Sequence, residues 1–164
     1  YVGSTKIGIK ERFKAHLAFY QPCLVEMDLI EFSKVPIHIL IGEEDDWVTA
    51  SACEDLVRDL SDNNVDVGIT VYANAHHGFD RKGLTVKEEN GYATGNCHFR
   101  MRSDGALLMN FLDIPMITPF RQKVALGWCA DRGTTIGGSP EARAKSFDFA
   151  RNFMIKNLSP DFLQ

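Results

Sequence analysis

Short apolar runs closed by turn residues punctuate the first half of the chain, and an amphipathic stretch lies among them. Phe13 to Tyr20 mixes alternating and continuous apolar positions and is stopped by Gln21-Pro22, the pattern of a buried parallel strand. Pro36 to Ile41 is a second such run, closed by Gly42, and Val67 to Tyr72 a third. Between the second and third, Ser51 to Leu60 reads as a helix: Ser51 with Glu54 forms a capping box, and Leu56, Val57 and Leu60 supply the apolar stripe. Asp62-Asn63-Asn64 ends it. Strand, helix and strand in that order imply a right-handed parallel crossover, hence an α/β fold.

The second half is patterned differently. Ser139-Pro140-Glu141 is a helix start, with an N-cap, a proline at the first helical position and an acid near the positive end of the dipole. Phe147, Ala150, Met154 and Leu158 then fall on one face, which predicts a C-terminal helix covering the sheet. From about residue 81 to 138, Gly, Asn, Thr and Pro are frequent and the sustained apolar stretch is Ala106 to Leu112. That segment is expected to be an irregular excursion, a lid or pocket wall, within a single partial domain spanning 1–164. No internal repeat or low-complexity tract interrupts it.

Composition narrows the function classes. A chain of 164 residues, 45% hydrophobic and 24% charged, is ordinary for a globular domain. A net charge of -4, with Lys and Arg scattered, argues against nucleic acid as a partner. No apolar run is long enough to span a bilayer, so no membrane association is expected, and Tyr1, which shows neither an initiator Met nor a signal-peptide pattern, reads as a break inside a longer chain. Cys23, Cys53, Cys97 and Cys129 make no CxxC pair and no zinc-type spacing with histidine. They are either free thiols of a cytoplasmic protein or disulfides of a periplasmic or secreted one. If paired, Cys23 joins Cys53, because both follow consecutive parallel strands at one sheet edge, and Cys97 joins Cys129, bracketing the excursion.

The chemistry lies at two strand ends. Gly42-Glu-Glu-Asp-Asp-Trp-Val48 places an acid after the second strand, and Tyr72-Ala-Asn-Ala-His-His-Gly-Phe-Asp80 places a histidine after the third. A histidine that shuttles a proton needs a fixed tautomer and a suitable pKa, and a neighbouring carboxylate supplies both. Spacing favours Asp45 among Glu43, Glu44, Asp45 and Asp46, with Asp46 its nearest rival. His77, directly before Gly78-Phe79, is favoured over His76, which would line an entrance or bond a loop. His16 and His38 sit inside apolar runs and read as core or edge residues; His98 carries no interpretable pattern. The His-His pair has no third ligand at strand or helical spacing, so no metal is expected.

These segments resemble the C-terminal part of the dienelactone hydrolase family, in the α/β-hydrolase superfamily. The likeness is carried by Phe13-Lys-Ala-His-Leu-Ala-Phe-Tyr-Gln-Pro-Cys23, Pro36 to Val48, Val71 to Asp80 and the helix beginning Ser139-Pro-Glu-Ala, and it spans nearly the whole chain. The resemblance implies a carboxylesterase-type hydrolase of esters or lactones, with Asp45 as the catalytic triad acid, His77 as the triad histidine and no cofactor. It also implies a Cys or Ser nucleophile in a Gly-x-Cys/Ser-x-Gly elbow. Ser4 follows Gly3, but Val2 and Lys6 stand where that elbow needs glycine, and Cys23 follows the wrong strand. The elbow is therefore expected upstream, roughly 10 to 25 residues before Tyr1, since a helix of about three to four turns separates it from the strand at Phe13. The alternative is an inactive hydrolase-like binding module. Oligomeric state leaves no trace in the pattern.

Overall fold

The computed structural model describes residues 13–27, 34–109 and 111–158. Strand β1 (His16–Phe19), strand β2 (Val25–Met27), strand β3 (Ile37–Gly42), helix α1 (Ala50–Asp62), strand β4 (Val67–Tyr72), strand β5 (Val86–Ala93), strand β6 (Phe99–Met101), strand β7 (Leu107–Leu108), helix α2 (Pro119–Cys129), strand β8 (Asp131–Ile136) and helix α3 (Pro140–Leu158) follow in that order. A parallel sheet of order β1-β3-β4 is the frame, with His16 opposite Ile37 and Ile37 opposite Val67. The α/β class, the parallel strands, the crossover helix and the C-terminal helix all agree with the sequence.

The central strand β3 explains why the frame holds. Ile39, Leu40 and Ile41 are almost wholly buried, and their alternation feeds both faces of the sheet. Ile39 and Ile41 pack with Val48, Cys53, Leu56, Val57, Ile69 and Val71 beneath α1. Leu40 packs on the other face with Tyr72, Ala75, Phe79, Ala142 and Phe149.

Helix α1 begins at Thr49, whose side chain makes no capping bond, so the expected Ser51–Glu54 box is not formed. Thr49 presents its methyl group toward the backbone at Gly95, where an added Cβ would lie 2.6 Å away, and the helix starts early enough to put Ser51 inside its first turn. Its end is as the sequence suggests: the Asn63 N–H bonds the carbonyls of Asp59 and Leu60, and Asn64 takes a left-handed φ of 60°.

The face of α3 needs correction. Phe147, Met154 and Leu158 are exposed, and of the four expected positions Ala150 alone is half-buried. The inward stripe is Ala142, Ser146, Phe149 and Phe153, with spacings of four, three and four residues. Small residues do this work: Ala142 joins the core beside Leu40, and Ser146, fully buried, satisfies its hydroxyl by donating to the Arg143 carbonyl at 3.0 Å. Counting large apolar side chains selects the wrong side when the contact is made by Ala and Ser.

The 81–138 segment carries more regular structure than its composition suggests. Strands β2, β6 and β7 form a small sheet, with β2 parallel to β6, and β5 pairs antiparallel with β8 around an irregularity between Glu88 and Tyr92. Cys97, Phe99, Met109, Met116, Ala125 and Cys129 form a separate core there. Strands β6 and β7 are three and two residues long, too short to show a period, and β5 is mostly exposed, so it lacks alternation. Helix α2 had a legible signal: Thr118 caps it by accepting from Arg121 N at 3.3 Å, with Pro119 next, the same device as Ser139-Pro140.

Both anticipated cysteine pairs are present, Cys23–Cys53 with Cα atoms 4.9 Å apart and Cys97–Cys129 with 5.0 Å. They close loops of 30 and 32 residues, each worth about 3–4 kcal/mol in the loop-entropy account. Among the described residues no helix is long and apolar enough to cross a membrane.

The α3 assignment makes a paired expectation. Phe149→Ala should lower stability by about 1–2 kcal/mol, as truncation of a half-buried ring against the His38 ring at 4.4 Å, while Phe147→Ala changes it by less than about 0.5 kcal/mol. Chemical denaturation of both variants checks it; equal losses would restore the face centred on Phe147.

Candidate active site

Strands β3 and β4 end in step, with Gly42 opposite Tyr72, and their following loops are stitched together. Glu43 N donates to Tyr72 O at 2.9 Å and Glu44 N to Ala75 O at 2.9 Å, while Asn74 N donates to Glu43 Oε2 at 3.2 Å. The approach is so close at Gly42 that a Cβ there would sit 2.1 Å from Ala75 O. Glycine is therefore required by backbone contact.

This stitching brings Asp45 and His77 together. His77 Nδ1 lies 2.9 Å from Asp45 Oδ2, and the Asp45 side chain is fully buried while the imidazole keeps a small exposed surface. The other carboxylate oxygen, Oδ1, accepts from Trp47 N at 3.0 Å and Val48 N at 2.9 Å. Three hydrogen bonds thus fix the carboxylate, and they satisfy a group whose burial would otherwise be costly. With Nδ1–H donated to Asp45, the imidazole has its Nε2 lone pair available.

The neighbouring acids and histidine are engaged elsewhere. Asp46 accepts from Thr135 N at 2.7 Å and from Thr135 Oγ1 at 2.8 Å, facing β8 rather than His77. His76 Nδ1 lies 2.9 Å from the Glu44 carbonyl. His38 sits in the sheet 2.9 Å from Thr70 Oγ1, and its burial pushes its pKa below the ordinary value. His16 packs its ring on Phe13 at 5.5 Å, and His98 is exposed beside Cys97. Cys23 is tied to Cys53. Gly3, Ser4 and Lys6, weighed above for an elbow, lie outside the described residues. Among the described residues no group of three or more His, Cys, Asp or Glu is arranged to hold a metal ion.

Two aromatic residues were not picked out from the sequence. The Tyr20 and Trp47 rings lie 4.6 and 4.7 Å from the His77 ring. Tyr20 takes a left-handed φ of 37°, a conformation costing a non-glycine residue about 1–3 kcal/mol. Its neighbours impose it: Tyr20 N donates to Leu40 O at 2.7 Å, and its hydroxyl donates to Asp80 Oδ1 at 3.1 Å. Parallel order was the available signal, because the residue ending β1 must emerge at the same sheet edge as Asp45 and His77. Gly78, with φ of 72°, turns the chain away after His77 and sits against Ile136.

Two cavities among the described residues are lined by neither Asp45 nor His77. One of about 490 Å³ lies at the opposite strand ends, among Pro36, His38, Asp66 and Phe153. Another of about 420 Å³ is lined by Arg81, Lys82, Pro140, Arg143 and Phe147, on the segment that follows His77.

Compared with known proteins, residues 4–101 match the model of the dienelactone hydrolase family. Among curated proteins and solved structures nothing matches the chain.

Burial and the adjacent Asp80 carboxylate raise the Tyr20 pKa above the ordinary 10.0. A raised folded-state value means that the protonated phenol favours the native state, an advantage fully present below pH 10 and lost as pH rises through the higher folded value. Tyr20→Phe should therefore remove one phenolate absorbance step lying above pH 10 and lessen the alkaline loss of stability. Spectrophotometric titration decides this; an unchanged set of alkaline steps contradicts it.

Proposed function

The chain belongs to the dienelactone hydrolase family, and from that premise we propose that it forms the C-terminal part of a hydrolase cleaving carboxylic esters or lactones through a nucleophile-His-Asp triad. His77 is the general base and acid, Asp45 the residue that orients it, and residues 1–164 belong to one partial α/β-hydrolase domain. The observation that carries the reading is the 2.9 Å contact between His77 Nδ1 and the buried Asp45 carboxylate.

The chemistry follows from that contact. A Ser or Cys nucleophile loses its proton to His77 Nε2 as it attacks the ester carbonyl carbon. The imidazolium so formed is stabilised through Nδ1–H by Asp45, and the π faces of Tyr20 and Trp47 are favourable neighbours for its positive charge. His77 returns the proton to the departing alkoxide, leaving an acyl-enzyme. Water then repeats the sequence: His77 takes its proton, the acyl bond breaks, and the nucleophile recovers its hydrogen. Positioned proton transfer of this kind contributes about 10²–10⁴ in rate.

No serine or cysteine among the described residues is bonded to the His77 ring, and all four cysteines are in disulfides. On this reading the nucleophile sits in an elbow upstream of Tyr1. Two disulfides support a periplasmic or secreted setting over a cytoplasmic one.

The full-length protein should hydrolyse small activated esters, while residues 1–164 alone should not. His77→Ala should lower kcat by at least about a thousandfold, and Asp45→Asn by a similar order, because the amide no longer holds the productive tautomer. The coding sequence before Tyr1 should contain Gly-x-Ser-x-Gly or Gly-x-Cys-x-Gly. Wild-type turnover in His77→Ala, or no such elbow, would replace this reading with that of a hydrolase-like binding module.

A further inference from the structure

Asp45 and Asp46 are consecutive, yet their carboxylates serve different partners. Asp45 turns inward to His77, and Asp46 receives both the N–H and the hydroxyl of Thr135, 89 residues later, at 2.7 and 2.8 Å. Thr135 lies on β8, and the next two residues brace the other half of the dyad. Ile136 bridges His77 in parallel fashion, and Gly137 N donates to the His77 carbonyl at 3.0 Å. The same 81–138 segment reaches the acid loop a second time: Thr94 donates its N–H and its hydroxyl to the Trp47 carbonyl at 3.0 and 2.9 Å. Trp47 is the residue whose N–H holds Asp45 Oδ1. The end of β8 is therefore bonded to the loop carrying the acid and to the loop carrying the histidine.

We propose that Asp46 is a positioning residue for the Asp45–His77 dyad, its carboxylate fastening β8 across both loops so that the imidazole is held where Asp45 can orient it. The proposal rests on the hydrolase reading for its effect on rate, though not for its effect on the geometry of His77. The physical reason is leverage. Asp45 is held by backbone N–H groups of its own loop, which fixes the carboxylate, whereas the His77 backbone is held by β8. Releasing Thr135 from Asp46 loosens the strand that sets the distance between them, and misplacement by a fraction of an ångström to an ångström is enough to reduce turnover. Asp46 is exposed and, on this assignment, does not touch the reacting atoms.

The test compares Asp46→Ala with Asp46→Asn in the full-length protein. Asparagine keeps an oxygen to accept from Thr135 N and an amide to donate to Thr135 Oγ1, so a role in position tolerates it and a role in charge does not. Asp46→Ala should lower kcat roughly tenfold with KM within about twofold of wild type, and Asp46→Asn should keep most of the turnover. Proton NMR gives a readout independent of activity: the Nδ1 proton of His77, assigned by its loss in His77→Ala, should exchange faster in Asp46→Ala and remain protected in Asp46→Asn. Should Asp46→Ala fail to fold, Thr135→Ala replaces it, with an expected loss of about threefold in kcat and a smaller acceleration of exchange. Wild-type kcat and an unchanged His77 proton in the alanine variants overturn the proposal, as does Asp46→Asn losing as much as Asp46→Ala. If His77→Ala keeps its turnover, the hydrolase reading fails instead, and the exchange measurement alone decides whether Asp46 holds the loops.

Discussion

The registration of β3 against β4 is the constraint on which the site depends. Gly42 lies opposite Tyr72, so both strands end together and their loops leave the same sheet edge. Because Gly42 has no side chain, the loop after β4 presses directly on the backbone of the loop after β3, and the Glu44 N–H reaches Ala75 O at 2.9 Å. A larger residue would force the strands apart at that end. Burial of Ile39, Leu40 and Ile41 on both faces fixes the register, since a slip by one residue would exchange the two faces.

On that edge, hydrogen-bond geometry divides roles among similar residues. Four consecutive acids leave β3, and the chain's turn through Asp45 to Val48 directs one inward and leaves the other three toward solvent or other partners. Asp45 is inside because two backbone N–H groups of the turn converge on its Oδ1, leaving Oδ2 for His77. The aromatic walls of Tyr20 and Trp47 limit how the imidazole can tilt. A left-handed Tyr20 is tolerated there because its backbone N–H, hydroxyl and ring are all engaged.

The disulfides complement two of the three buried clusters. Cys23–Cys53 lies in the core under α1, and Cys97–Cys129 lies in the small core of the 81–138 segment. The latter core is assembled from very short strands and one helix, elements with few local interactions of their own. A cross-link between the start of β6 and the end of α2 reduces the entropy that ordering such a segment costs. It also delivers β8, which begins two residues after Cys129, to the loops beside the dyad.

The sequence by itself determined the parallel frame, because strand runs, turn residues and the crossover helix are local patterns whose period can be read along the chain. It also brought Asp45 and His77 into view, since parallel strands put their following loops at one edge. The same edge argument paired Cys23 with Cys53, and the position of Cys97 and Cys129 on either side of the excursion paired those two. What tertiary structure alone decided concerns direction and distance. The inward face of α3 turns on Ala142 and Ser146, whose small size matters only against the surface they meet. The order within 81–138 depends on pairing between β5 and β8, with some forty residues between them, and a mostly exposed β5 has no apolar period to announce it. The different engagements of Asp45 and Asp46 also came from folding: the N–H groups of Trp47 and Val48 hold the first and Thr135, 89 residues along the chain, holds the second, because adjacent carboxylates are chemically alike until folding brings a different donor to each.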